Sequence, residues 1–264
     1  MIFQAIVYGL VQGIAEFLPI SSTAHLILIP YFFHWQDPGL TFDIFLHLGT
    51  VVAILTFFIK DWIKIFKDAF RGKSRLLWWI IVASIPAAIV GYFFESKAET
   101  TLRAPLLIAA TLFVFGVILY AVDRFIGHIK KIKDLGFGKS FLIGLTQAIA
   151  IIPGVSRSGA TMTGGMLVGL KRKSAARFSF LLATPVMIGA TAFKFKDIFE
   201  VPKGEWFSGF GLSPGIIAFA IALVSGYLAI KYLLRYLGKG SFTPFVVYRI
   251  LLAAVIVIFY LLTK

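Results

Sequence analysis

The residues that could do chemistry lie in two polar stretches set inside apolar sequence. One runs Gln12-Gly13-Ile14-Ala15-Glu16-Phe17-Leu18-Pro19-Ile20-Ser21-Ser22-Thr23-Ala24-His25, the other Pro153-Gly154-Val155-Ser156-Arg157-Ser158-Gly159-Ala160-Thr161. In the second stretch, Gly154 to Thr161 opens a helix, whose free N–H groups and positive dipole end make an anion pocket through Ser156, Ser158 and Gly159. Arg157 adds a planar fork suited to phosphate, and Ser156, Ser158 and Thr161 add hydroxyl donors. An anion carrying two or more phosphates fits this set. The plainer alternative is a small-residue helix turn whose arginine pairs with a carboxylate such as Glu16 or Asp43.

The first stretch supplies complementary groups. Glu16 follows Gln12 by one helical turn, which puts both on one face. Glu16 offers a carboxylate for a divalent cation or for proton transfer. Ser21, Ser22 and Thr23 offer hydroxyls, and His25 offers an imidazole that can act as base or nucleophile. Helix capping is the competing role for the three hydroxyls. Together Glu16, Ser22, His25 and Arg157 read as catalytic, with Ser21, Thr23, Ser156, Ser158, Gly159 and Thr161 binding the anion. His47 and Asp43 are weaker candidates to line a cavity. Arg249 is expected either to bind phosphate or to neutralise a buried acid.

The elements that must position these groups follow from composition. The 264 residues are 59% hydrophobic, and the mean hydropathy is +0.92. Apolar runs over about 42–59, 76–94, 106–122, 178–193, 212–230 and 242–263 are each near the length that crosses a bilayer. That composition excludes a soluble enzyme, and zero cysteines exclude thiolate chemistry. The net charge of +14 lies mostly in loops, which reads as topology and lipid-headgroup contact rather than nucleic-acid binding. Loops 60–75, 123–139, 171–177 and 231–240 hold 18 of the 26 Lys and Arg, which places them on the cytoplasmic side. Parity then requires 1–33 and 140–170 each to enter and leave on one side, as re-entrant helix-loop-helix hairpins broken at Pro19 and at Pro153-Gly154.

An internal repeat agrees. At an offset of 135, Gly9, Leu10, Gln12, Ile14, Ala15 and Ser21 match Gly144, Leu145, Gln147, Ile149, Ala150 and Ser156. The expected fold is an all-α polytopic membrane protein, residues 1–264 as one domain. It has six transmembrane helices plus two re-entrant hairpins in an inverted-topology repeat, with halves of about 1–122 and 140–263.

Over essentially the whole chain, and above all in Gln12 to Leu26 and Pro153 to Thr161, the sequence resembles the undecaprenyl-diphosphate phosphatase family, also called the bacitracin-resistance protein family. The resemblance implies a multi-pass hydrolase of the bacterial inner (plasma) membrane. It would remove the terminal phosphate of a C55 polyprenyl diphosphate lipid and so recycle the carrier for peptidoglycan synthesis, with a divalent cation, Mg²⁺ or Ca²⁺. It also implies the acidic motif at Gln12 and Glu16, the Ser/His motif at Ser22 and His25, and the phosphate loop at Ser156, Arg157, Ser158 and Thr161. Many members carry Glu at the Gln12 position, so Glu16 here would hold the cation with phosphate oxygens and water. Expected partners are the lipid substrate and membrane lipids, with no nucleic acid; a homodimer is left open. A transporter or flippase of a polyprenyl-phosphate lipid is the rival reading, since inverted repeats with a midplane site also build transporters.

Overall fold

The computed structural model describes residues 1–36, 38–200 and 210–263, leaving aside the side chains of 40, 95–100 and 196–200. Its helices in chain order are α1 (Ile2–Phe17), α2 (Ser22–Phe33), α3 (Leu40–Phe70), α4 (Leu76–Thr100), α5 (Pro105–Phe125), α6 (Phe137–Ile149), α7 (Arg157–Leu167), α8 (Arg172–Glu200), α9 (Leu212–Tyr236) and α10 (Thr243–Leu262). A 3₁₀ turn, Ile132–Asp134, precedes α6. Among the described residues six helices, α3, α4, α5, α8, α9 and α10, are long and apolar enough to cross a membrane. They carry the six expected spans, and the protein is a multi-pass membrane protein.

Helix ends overrun the apolar runs. α3 continues through Lys60, Lys64 and Lys67 to Phe70, and α8 starts at Arg172 rather than near 178 and runs past Lys194. Hydropathy marks where a helix meets hydrocarbon; the helix itself continues until a stop signal such as Gly72, whose φ of 66° only glycine adopts freely.

The two polar stretches fold into helix-break-helix pairs. α1 and α2 have 16 and 12 residues, α6 and α7 have 13 and 11, all short of the ~20 needed to span hydrocarbon. Their breaks are built alike. Leu18, held extended by the following Pro19, ends the first helix, while Pro153 and Gly154 (φ 92°) separate the second pair. Each second helix begins from a serine at φ 72°, Ser21 before α2 and Ser156 before α7. A non-glycine residue is rarely held there unless its surroundings fix it. Ser21 and Ser156 stand at the repeat offset of 135.

The repeat also governs packing. α1 lies on α9 and α6 lies on α4, so each half's first helix docks on the other half. Glycine permits the close approach in both: a Cβ on Gly9 would sit 2.8 Å from the Ala218 carbonyl, and one on Gly144 would sit 2.6 Å from the Ala83 carbonyl. Gly9 and Gly144, and likewise Ala83 and Ala218, are related by the same offset. The main core joins α3, α8 and the tip of α1 through Phe58, Phe180 and Phe17, while side chains such as Ile85, Phe113, Leu251 and Ile258 remain exposed on the outside of the helix bundle. Such a continuous apolar exterior is what a lipid-facing surface requires.

Candidate active site

The two breaks meet each other. Ser21 Oγ accepts from the Gly154 N–H at 3.3 Å and from the Ala24 N–H at 3.4 Å, so one hydroxyl caps α2 and ties it to the opposite tip. Ser158 Oγ donates to the Leu18 carbonyl at 2.9 Å. Ser156 Oγ caps α7 by accepting from the Gly159 N–H at 3.1 Å and lies 3.1 Å from Ser158 Oγ. Thr111 on α5 donates to the Pro153 carbonyl at 2.7 Å.

Arg249 holds both tips from behind. It is fully buried in α10 and donates to the carbonyls of Pro19, Gly154 and Val155 at 2.9–3.2 Å, and to those of Leu112 and Thr111 on α5. Neither expectation for this residue fits: it faces backbone, not a cavity, and carbonyl dipoles rather than an acid surround its charge. Broken helices leave carbonyls that hydrocarbon cannot solvate, and a five-donor fork can serve several at once. Arg249→Met is expected to orphan the three tip carbonyls at about 1–3 kcal/mol each and lower the thermal midpoint in detergent by on the order of 10 °C. A midpoint unchanged by this substitution, read by intrinsic fluorescence, would show that the tips do not depend on it.

In front of the crossing lies a cavity of about 210 Å³, walled by Glu16, Ser21, Ser22, Thr23, His47, Ser156 and Arg157, and by a stripe of α8 from Val186 to Lys194. Glu16 is its centre. Arg157 Nη2 donates to Glu16 Oε1 at 2.8 Å, Ser22 Oγ donates to Oε2 at 2.6 Å, and Gln12 Nε2 donates to Oε2 at 3.2 Å. Ser22 and Arg157 are the first residues of α2 and α7, related by the offset of 135, so the repeat delivers a hydroxyl and a guanidinium to one carboxylate. Arg157 Nη1 is buried and has no hydrogen-bond partner among the described residues. The ion pair that the sequence offers as an alternative to phosphate binding is therefore present, and it satisfies only part of the guanidinium.

Other expected residues lie elsewhere. His25 is not on the cavity wall: its Nδ1–H donates to the Ser21 carbonyl at 2.7 Å, and its Nε2 accepts from the Tyr248 hydroxyl at 2.6 Å. A ring bonded at both nitrogens, in that tautomer, is oriented away from the reaction space. Thr161 is buried in α7, donating to the Arg157 carbonyl at 2.8 Å and paired with Ser179 Oγ at 2.6 Å. Ser158 serves the opposite tip, and Gly159 makes room for Arg249, whose Nη1 would lie 3.1 Å from an added Cβ. Gln12 is fully buried, turns its NH₂ to Glu16 and leaves its Oε1 in the protein interior. It orients the carboxylate rather than facing the cavity.

His47 and Lys194 are the groups that sequence reasoning underweighted. His47 Nδ1–H donates to the Asp43 carbonyl at 2.8 Å, and the residue lines the cavity. Lys194 lies just past the apolar run 178–193; in α8 it shares one face with Met187, Ala190 and Thr191, a helical spacing legible in the sequence once the helix is extended. Among the described residues no group of three acidic, His or Cys side chains forms a metal cluster, and Glu16 is the one carboxylate on the wall.

The family model described as bacitracin resistance protein BacA matches residues 5–255. A protein named undecaprenyl-diphosphatase from Moorella thermoacetica is 50% identical over 260 residues, covering 97% of both chains. Another of that name from Desulforudis audaxviator is 45% identical over 98% of both, and one from Idiomarina loihiensis is 42% identical over 96% of this chain and 97% of its own. With a match that runs through both tips and into the last of the six spans, the chain belongs to the bacitracin resistance protein BacA family.

Proposed function

We propose that this protein is an undecaprenyl-diphosphate phosphatase of the bacterial plasma membrane, hydrolysing the terminal phosphate of a polyprenyl diphosphate to return the monophosphate carrier to peptidoglycan synthesis. The observation that carries the reading is the pairing of a buried, unpartnered Arg157 Nη1 with a Ser22–Glu16 hydrogen bond in one cavity. An unfilled guanidinium donor needs an acceptor such as a phosphate oxygen. A carrier that only moved an anion would have no use for a hydroxyl bonded to a carboxylate.

Phosphoryl transfer asks mainly for positioning and charge stabilisation. The diphosphate enters between α8 and the tips and draws Arg157 onto its oxygens, while Ser156 and Lys194 stand on the same wall. Ser22 Oγ attacks the terminal phosphorus as Glu16 Oε2 takes its proton. The bond to the bridging oxygen breaks, and its electron pair leaves with the prenyl monophosphate. Water then attacks the phosphoserine, the Ser22 oxygen recovers a proton from Glu16, and inorganic phosphate departs. His25, held by Tyr248, fixes the first turn of α2 through the Ser21 carbonyl. The basic face is cytoplasmic by charge, so a cavity reaching along α8 to Lys194 opens toward the outer leaflet.

A single carboxylate with neighbouring hydroxyls suits a hard cation that keeps its waters and takes phosphate oxygens, and does not suit a cation caged by protein alone. Glu16 Oε1, once Arg157 turns to the diphosphate, would hold Mg²⁺ or Ca²⁺. Bound there, the ion would neutralise charge on the phosphoryl group and its leaving oxygen. Chelation is expected to lower turnover at least ~100-fold, with recovery on adding Mg²⁺ or Ca²⁺ back; undiminished turnover in excess chelator would remove the cation from the reaction.

The deciding experiment compares phosphate release from purified protein and polyprenyl diphosphate with lipid translocation in sealed vesicles. Release without translocation is expected; translocation without release would make the protein a carrier.

A further inference from the structure

At the opposite end of α8 from the Glu16 cavity, the structure forms a second concavity that the reaction does not use. Its volume is about 750 Å³, and its walls carry Lys131, Lys133, Lys171, Arg172, Lys173, Arg177 and Lys239, with His128 beside them. Among the described residues, two of these cations meet carboxylates. Arg172 Nε pairs with Asp123 at 2.5 Å, and Arg177 pairs with Asp61. Asp123 is itself buried and also accepts from the Phe242 N–H at 3.1 Å, so it is spent inside the wall. Asp134 is bound to the Lys131 N–H and is not on the lining. The five lysines are exposed and form no ion pair among the described residues.

Charge that only sets topology has no need to converge, because loop lysines spread apart satisfy that rule as well. Here convergence is built. The loop before α6 is stitched to the α7–α8 turn by an isolated parallel bridge between Lys130 and Leu170: the Lys130 N–H donates to the Gly169 carbonyl and the Lys171 N–H to the Lys130 carbonyl, both at 2.9 Å. Lys130 Nζ adds a bond to the Val168 carbonyl at 3.1 Å, and Gly169 turns the chain at φ 91°. This stitch holds Lys131 and Lys133 against Lys171 and Lys173, where like charges repel until an anion intervenes. Around the loop that carries Lys131 and Lys133, Phe125 at the end of α5, Ile129 in the loop and Phe137 at the start of α6 are exposed, at 78%, 77% and 62%. Apolar side chains flanking a basic bowl at the ends of membrane-crossing helices suit a ligand with acyl chains and an anionic head.

We propose that this bowl is a specific site for the phosphate-bearing headgroup of an anionic phospholipid on the face opposite the Glu16 cavity. The lysines bind its phosphate oxygens while Phe125, Ile129 and Phe137 meet its chains. The site is independent of the hydrolase reading and survives or fails without it.

The test is native mass spectrometry of the delipidated protein in neutral detergent, titrated separately with cardiolipin, phosphatidylglycerol, phosphatidylcholine and inorganic diphosphate. One variant carries Lys131→Gln, Lys171→Gln, Lys173→Gln and Lys239→Gln. A control carries Lys60→Gln, Lys64→Gln, Lys67→Gln and Lys73→Gln, which removes the same charge from the same face outside the bowl. Wild type and control are expected to retain one saturable anionic lipid and no phosphatidylcholine, and the bowl variant to bind it at least about tenfold more weakly. Equal weakening in both variants, or none in either, overturns the site. Inorganic diphosphate displacing the lipid at matched concentration assigns the bowl to a soluble ion and overturns the lipid. Should the fourfold variant lose its thermal transition in the neutral detergent, Lys171→Gln with Lys239→Gln carries the same comparison.

Discussion

Arg157→Ala is expected to lower turnover of polyprenyl diphosphate by about a thousandfold, the scale seen when a guanidinium that stabilises a transferring phosphoryl group is lost. The loss should appear in kcat as well as KM, because charge on the equatorial oxygens grows toward the transition state. Arg157→Lys should recover little. A lysine can replace the Nη2 bond to Glu16 but not the second, unpartnered arm of the fork. Removing the arginine also releases Glu16 from its ion pair, so folding needs a separate check by thermal midpoint. An Arg157→Ala protein that folds and hydrolyses normally would reject the phosphate-binding role.

Ser22→Ala is expected to cost on the order of a thousandfold or more and to abolish a phosphorylated intermediate that acid-quenched wild type should show on that residue. The 2.6 Å bond from Ser22 Oγ to Glu16 Oε2 is the geometric reason, since it presents hydroxyl and proton acceptor already aligned. Glu16→Gln should match the loss while leaving Ser22 in place. His25→Asn should fall less far, because that ring is bonded to Ser21 and Tyr248 and touches no cavity space. A phosphohistidine at position 25, or full activity in Ser22→Ala, would return the attack to His25 or to water.

The six spans were legible because apolar length is a property of the run itself. Their ends were not: Lys60 to Phe70 and Arg172 to Arg177 continue as helix where hydropathy falls. Both tips were legible from Pro19 and Pro153-Gly154, and the meeting of Glu16 with Ser22 and Arg157 was foreshadowed by their motifs. What His25 and Arg249 do was not. His25 is turned by Tyr248, 223 positions away, and Arg249 is bound by carbonyls, which every residue has and no spacing can flag. Thr161 looked like a ligand because hydroxyl donors in a helix turn look alike in sequence, whether they face an anion or, as here, Ser179.

The exchange of first helices between halves has a consequence for biogenesis. α1 leaves the ribosome first, yet the surface that receives Gly9 and Gly13 lies on α9, at Ala218, Ala222 and Ser225, some two hundred residues later. Until α9 and α10 are made, two helices too short to span the bilayer must wait with Gly9 and Gly13 uncovered and the Pro19 carbonyl lacking Arg249. Assembly is therefore committed late and all at once. A chain truncated before α9 should be cleared by membrane proteolysis rather than persist as a folded half.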